Sequence, residues 1–263
     1  YLYYGITNKF LSYFWFAGNT SDANLAKTHY TACIERNSGR TEKMNGWFDL
    51  LFYSPDLISQ GNPVSSPMNG FIQGADYMYI RGSSSDINSL YVGMHGGDNN
   101  ASHGHLDAGT VFIQALGENF LVGNLGREDP YPSDYFTVTS PAYNDLPTNN
   151  TDTRGRFYYY RVQTESKSCM VFGPDARPEQ NPAGVASVIY EGADNDGGFY
   201  VLDLTSCYSR DVTYYKRGIK LNRSSGLITI QDEFILKNPS TVYWLGQSPA
   251  TDGLIISNGG KTA

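Results

Sequence analysis

Positive charge is scarce in this chain: 19 lysines and arginines stand against 26 aspartates and glutamates, a formal net charge of -7 over 263 residues. A surface of that balance does not wrap a polyanion non-specifically, so a nucleic-acid role is disfavoured and an acidic ligand must be met by a local cluster of cations. Long apolar runs are missing too, and without about 18 consecutive apolar residues there is no candidate for a membrane-spanning helix. Cysteine is rare. Cys33, Cys169 and Cys207 are odd in number and widely spaced, which fits neither a disulfide framework nor a metal knuckle and suits buried thiols. The chain opens at Tyr1 without a charged-then-apolar leader, as expected of a processed product or, preferably, of a piece of a longer protein.

Aromatic residues, by contrast, are abundant: 21 tyrosines, 13 phenylalanines and three tryptophans. Tyrosine suits pleated strands and carbohydrate surfaces alike. Apolar residues recur at helical spacing over 9–16 and 24–36, with turn and capping residues at 19–22 between them, and a third short run covers 47–53 before Pro55. A Gly-, Pro- and Ser-rich linker spans 59–70, and a domain boundary is placed there, with 1–58 before it and 59–263 after. Beyond it the pattern is of strands, over 75–81, 90–94, 109–116, 119–122, 168–172, 185–191, 198–205, 212–221, 227–234 and 241–245. So many short strands with almost no helical pattern predict a mainly β fold, a large antiparallel β-sandwich. Residues 123–156, rich in Pro, Asn, Asp and Tyr, form a long irregular insertion of the kind that is usually functional.

Three of the four histidines fall within His95–His105, in the segment His95-Gly96-Gly97-Asp98-Asn99-Asn100-Ala101-Ser102-His103-Gly104-His105-Leu106-Asp107-Ala108-Gly109-Thr110. If that segment is extended, His103, His105 and Asp107 share one face. Two imidazoles and a carboxylate together suit a metal site or an acid–base site. A polar edge whose histidines satisfy loop carbonyls is the plainer alternative.

This block, followed by the strand and Gly117-Glu118 turn, resembles the signature of the heparinase II/III family of polysaccharide lyases. Gly123-Asn124-Leu125-Gly126 is similar to the family's Asp-Leu-Gly segment, 131–136 to its tyrosine-bearing loop, and 156–161 to its Tyr-Tyr-Arg run. The resemblance covers about 47–245 and implies an antiparallel sandwich behind an (α/α) toroid, of which 1–58 would be the last helices. The rest of that helical domain would precede Tyr1 in the same protein. It implies further that acidic, uronate-containing polysaccharide is cleaved by β-elimination, in a secreted or periplasmic setting. That reaction needs a cation to neutralise the uronate carboxylate, a base for the C5 proton and an acid for the departing C4 oxygen.

Carried over position by position, the resemblance makes His103 a catalytic residue and Tyr135 its partner across the cleft. A tyrosine simply packed in its loop is the alternative for Tyr135. Arg127, Arg154 and Arg156 are candidates to hold a substrate carboxylate or sulfate. His105 matches a ligand of a structural zinc, but the partner ligands are replaced: Gly123 and Asn124 stand where an aspartate is expected and Lys167 where a histidine is. A neutral amide is a poor zinc ligand and a protonated ammonium cannot coordinate, so a metal is not expected and Lys167 would place its charge near His105 instead. Two other readings stay open: a non-catalytic carbohydrate-binding or structural sandwich, and a lyase of another uronate such as alginate.

Overall fold

The computed structural model describes residues 67–123 apart from 75, 85 and 87, residues 135, 143, 144 and 155–249, and positions 23, 24 and 27. The chain divides into two compact units, Tyr1–Ser66 and Pro67–Ala263. In the first, Ala23, Asn24 and Lys27 are helical; the expected helices over 9–16 and 47–53, and the rest of 24–36, lie outside the described residues.

Among its described residues the second unit has twelve strands: β1 (Asn69–Ile72), β2 (Tyr77–Arg81), β3 (Tyr91–His95), β4 (Gly97–Asp98), β5 (Val111–Ala115), β6 (Glu118–Leu121), β7 (Met170–Phe172), β8 (Val185–Asp194), β9 (Gly197–Asp203), β10 (Val212–Asn222), β11 (Leu227–Leu236) and β12 (Val242–Trp244). All pairings are antiparallel. One five-stranded sheet runs β1-β2-β3-β5-β6, a second runs β11-β10-β9-β8-β4, and β12 pairs with β7. The mainly β, sandwich-like architecture expected from the alternating pattern is therefore present.

Period-two alternation explains why the sheets bury one face. Met78 and Ile80 of β2 lie opposite Met94 and Val92 of β3, and all four are buried against Leu202, Tyr215, Ile219 and Leu221 of the second sheet. Burying each large aliphatic side chain contributes about 1.5–3 kcal/mol. Toward the β7–β12 ribbon the core turns aromatic. The Phe172 ring sits edge-on to Tyr208, Tyr215 and Phe234 at 5.2, 5.4 and 5.1 Å, the tilted geometry that aromatic quadrupoles favour. Cys169 and Cys207 are free and buried, and burial pushes their thiols up to about 11 and 12.

Two short strands depart from the expectation. β1 occupies the end of what reads as linker, because four residues give too little alternation to detect and its pairing with β2 supplies the order. β4 falls inside the histidine block and pairs with Val185 and Ala186 of β8, crossing the chain from the first sheet to the second. Gly97 makes that crossing at φ 84 with Asp76 Oδ2 2.8 Å from where a Cβ would stand, a backbone position that suits glycine.

Candidate active site

The histidine block is not an extended segment, and this corrects the shared-face expectation. Between β4 and β5 the chain folds into successive turns: Ala101 N–H donates to Asp98 O at 3.0 Å, Gly104 N–H to Ala101 O at 2.7 Å and Thr110 N–H to Asp107 O at 3.0 Å. Local side-chain-to-backbone bonds compete with the sheet here, as Asp and Asn favour; Asp98 Oδ1 accepts from Asn100 N–H at 2.8 Å. Gly104 is tightly enclosed, with Ala101 O only 2.8 Å from where a Cβ would stand.

Long-range contacts fix this loop. Gln180, fully buried, accepts from Asn99 Nδ2 and from Ala108 N–H, each at 3.1 Å, and donates to Ala108 O at 3.0 Å and Tyr208 Oη at 2.8 Å. Leu106 is fully buried, its N–H donates to Val162 O at 2.9 Å, and its carbonyl accepts from Thr164 Oγ1 at 3.0 Å. At the far end Gly109 O accepts from Arg217 Nη1 at 2.8 Å. Arg217 is itself fully buried and paired with Asp232 through Nε and Nη2 at 2.6 and 3.0 Å.

On this fixed loop His103 is exposed and adopts φ 59, a left-handed backbone that a non-glycine residue holds at some cost. His105 lies deeper. Its Nδ1 is 3.0 Å from Lys167 Nζ, and Lys167, fully buried, also donates to Arg161 O at 2.5 Å. Burial, then the Lys167 charge, with Arg161 and Arg156 adding to it, push the His105 imidazole down to about 3. It is therefore neutral, accepts the ammonium proton at Nδ1 and carries its own proton on Nε2.

Asp107 pairs with His95, outside the His103–His105 doublet, with His95 Nδ1 3.1 Å from Asp107 Oδ1. Burial opposes charge on each partner, but the hydrogen bond and mutual attraction outweigh it, raising the His95 pKa and lowering that of Asp107. The His95 ring stacks on Tyr77 at 4.3 Å. This carboxylate–imidazole pair is the feature that sequence reasoning missed. The signal was His95 at the end of a strand twelve positions before Asp107, a separation with no local periodicity.

Tyr135 is 3% exposed. It packs in a satellite core with Leu106, Phe157 and Val162 and stacks on Tyr159 at 5.5 Å, so the loop that carries His103 and the segment that carries Tyr135 meet through Leu106. Arg156 is partly buried, with its guanidinium 4.7 Å from the Phe157 ring centre. Arg127, Arg154 and Asn124 lie outside the described residues.

The described residues do not fit a zinc ion at His105. Its Nδ1 is engaged by an ammonium group, and among the described residues no set of three His, Cys, Asp or Glu side chains is placed to hold a metal.

No family model matches the sequence, and no curated protein matches it. Solved structures do. A heparinase III superposes with a TM-score of 0.53 at 11% identity, covering 96% of this chain and 31% of that one. The fold is heparinase-like. The heparan sulfate lyase HepC from Pedobacter heparinus aligns at a TM-score of 0.49 and 11% identity, over 84% of this chain and 29% of its own. This chain thus spans about a third of the length of the heparinase III and the heparan sulfate lyase that it matches.

Proposed function

We propose that the chain is part of a polysaccharide lyase that cleaves uronate-containing acidic polysaccharide, of heparin or heparan sulfate type, by β-elimination. The observation that carries this reading is His103: an exposed imidazole on a strained turn, anchored on both sides by buried contacts, in a heparinase-like sandwich. A side chain held that way exchanges a proton with substrate at little reorganisation cost. In this reading His103 and Tyr135 move the protons at C5 and at the C4 oxygen, and Arg156, with Arg127 and Arg154, meets the carboxylate or sulfate. His105 and Lys167 hold the floor of the loop without metal. A helical domain in the same protein completes the cleft, and the protein works outside the cytoplasm, in secreted or periplasmic form.

The test is to incubate the intact protein with heparan sulfate, hyaluronan, chondroitin and alginate and to follow the ultraviolet absorbance of unsaturated uronate. Absorbance that grows with heparan sulfate and disappears in His103→Ala supports the reading, and growth with alginate alone moves the substrate to another uronate. The burial of Tyr135 favours a second reading, a sandwich that binds carbohydrate without cleaving it. Absence of product on all four polymers, with binding retained, selects that one.

A further inference from the structure

The outer face of the first sheet is tiled with rings. Side chains of β2, β3 and β5 that point away from the core are Tyr77, Tyr79 and Arg81, then Tyr91 and His95, then Phe112 and Gln114, and the register sets Tyr77 opposite His95, Arg81 opposite Tyr91 and Tyr91 opposite Gln114. Tyr79 and Tyr91 lie within 10° of parallel at 6.2 Å, and Tyr77 is 5.9 Å from Phe112. Phe112 packs closely on Gly123, whose absent Cβ would stand 2.1 Å from the ring's Cε1. Only a residue without a side chain leaves room for the ring at that place.

These residues line a cleft of about 320 Å³ formed by Tyr77, Tyr91, Phe112, Gln114, Asn119 and neighbouring apolar side chains. Its volume is at the lower end of the range of about 300–1,000 Å³ for small-ligand pockets. Among the described residues no lining side chain is charged. The amides of Gln114 and Asn119, cross-strand neighbours, are engaged in no hydrogen bond with described residues. Aromatic faces carry negative potential that attracts the polarised C–H groups of a sugar ring, and amides both donate to and accept from hydroxyls. A carboxylate or sulfate, by contrast, finds no cation among the lining residues.

We infer that this cleft is a carbohydrate subsite that stacks an uncharged pyranose ring on Tyr77, Tyr91 and Phe112 and hydrogen-bonds its hydroxyl or acetamido groups through Gln114 and Asn119. The inference rests on the lyase reading for the polymer in which that ring occurs, a chain alternating a uronate with a neutral sugar. The stack of Tyr77 on His95, and the pairing of His95 with Asp107, tie the cleft to the loop bearing His103, so the neutral residue binds beside the uronate being cleaved.

The test uses the whole chain and the neutral disaccharide of N-acetylglucosamine as probe. Saturable NMR shifts at Tyr77, Tyr91 and Phe112 are expected, with affinity falling on the order of tenfold in Tyr91→Ala and in Gln114→Ala. An unchanged melting temperature of Gln114→Ala separates its loss of binding from a folding defect. Shifts that never saturate, unchanged affinity in both variants, or a concentration-dependent dimer abolished by Tyr91→Ala would overturn the subsite. If lyase activity is found and the variants leave KM unchanged, the subsite falls and the lyase reading stands. If no polymer is cleaved but the disaccharide binds and the variants lose it, the subsite stands alone.

Discussion

His103 concentrates the tension between stability and function in one residue. Its φ of 59 is a conformation that glycine adopts freely, so His103→Gly should hold the melting temperature or raise it, by up to about 1 kcal/mol in unfolding free energy, while abolishing any lyase activity. A variant that instead lost stability would make His103 a structural residue. His105 and Lys167 behave differently. Because His105 stays neutral in the fold down to about pH 3, against 6.5 ordinarily, the unfolded chain takes up its proton first. That contribution is complete above pH 6.5 and is lost as pH falls toward 3. Lys167→Met leaves Arg161 O without this donor and should cost about 1–3 kcal/mol. Metal analysis of the purified protein should find no stoichiometric zinc, and zinc that is present and vanishes in His105→Ala would refute the ammonium's role. Glu179 supplies the opposite slope. Burial first, then the Glu165 charge, pushes its carboxyl up to about 8 from 4.5 despite Arg210. It holds a proton that the unfolded chain has released, so its contribution is complete below pH 4.5 and is lost as pH rises toward 8. Glu179→Gln should flatten the alkaline side of a plot of melting temperature against pH.

Among the elements, β10 fixes the loop through Arg217. This guanidinium reaches Asp232 on β11, Gly109 O at the end of the histidine block and, at 3.3 Å, Ser168 O before β7, so one side chain joins three parts of the sandwich. Asp232→Ala leaves that charge buried without its partner and should cost about 3–5 kcal/mol, read as a shifted denaturation midpoint at constant slope. The strands were legible because alternation is local: β9 to β11 show it along most of their seven to eleven residues. The loop was not. Gln180 clamps Asn99 and Ala108 from 81 and 72 positions away, and Asp107 chose His95 across twelve residues. Spacing announced that His103, His105 and Asp107 carry chemistry, but a strict alternation presumes a strand, and Asp98, Asn100 and Gly104 favour turns over one. Lys167 was legible as a departure from the ligand pattern of the family the block resembles, since a lysine placed in a core needs acceptors, and His105 Nδ1 and Arg161 O are among those it finds.

For the whole molecule the governing quantity is the charge of -7. On the proposed reading, an acidic polysaccharide would approach against that field and be held by a few arginines, whereas a neutral sugar in the cleft of Tyr77, Tyr91 and Phe112 would feel neither. Salt separates the two. Raising ionic strength from 0.1 M to 1 M shortens the screening length from about 10 Å to about 3 Å, which weakens exposed ion pairs and leaves stacking and hydroxyl–amide bonds almost unchanged. Affinity for a heparan sulfate oligosaccharide should therefore fall by an order of magnitude or more across that range, and affinity for the neutral disaccharide by less than about twofold. Titration calorimetry at the two salt concentrations measures both. Equal salt dependence for the two ligands would mean that a single charged surface binds them, and the division of labour between arginines and aromatic cleft would be wrong.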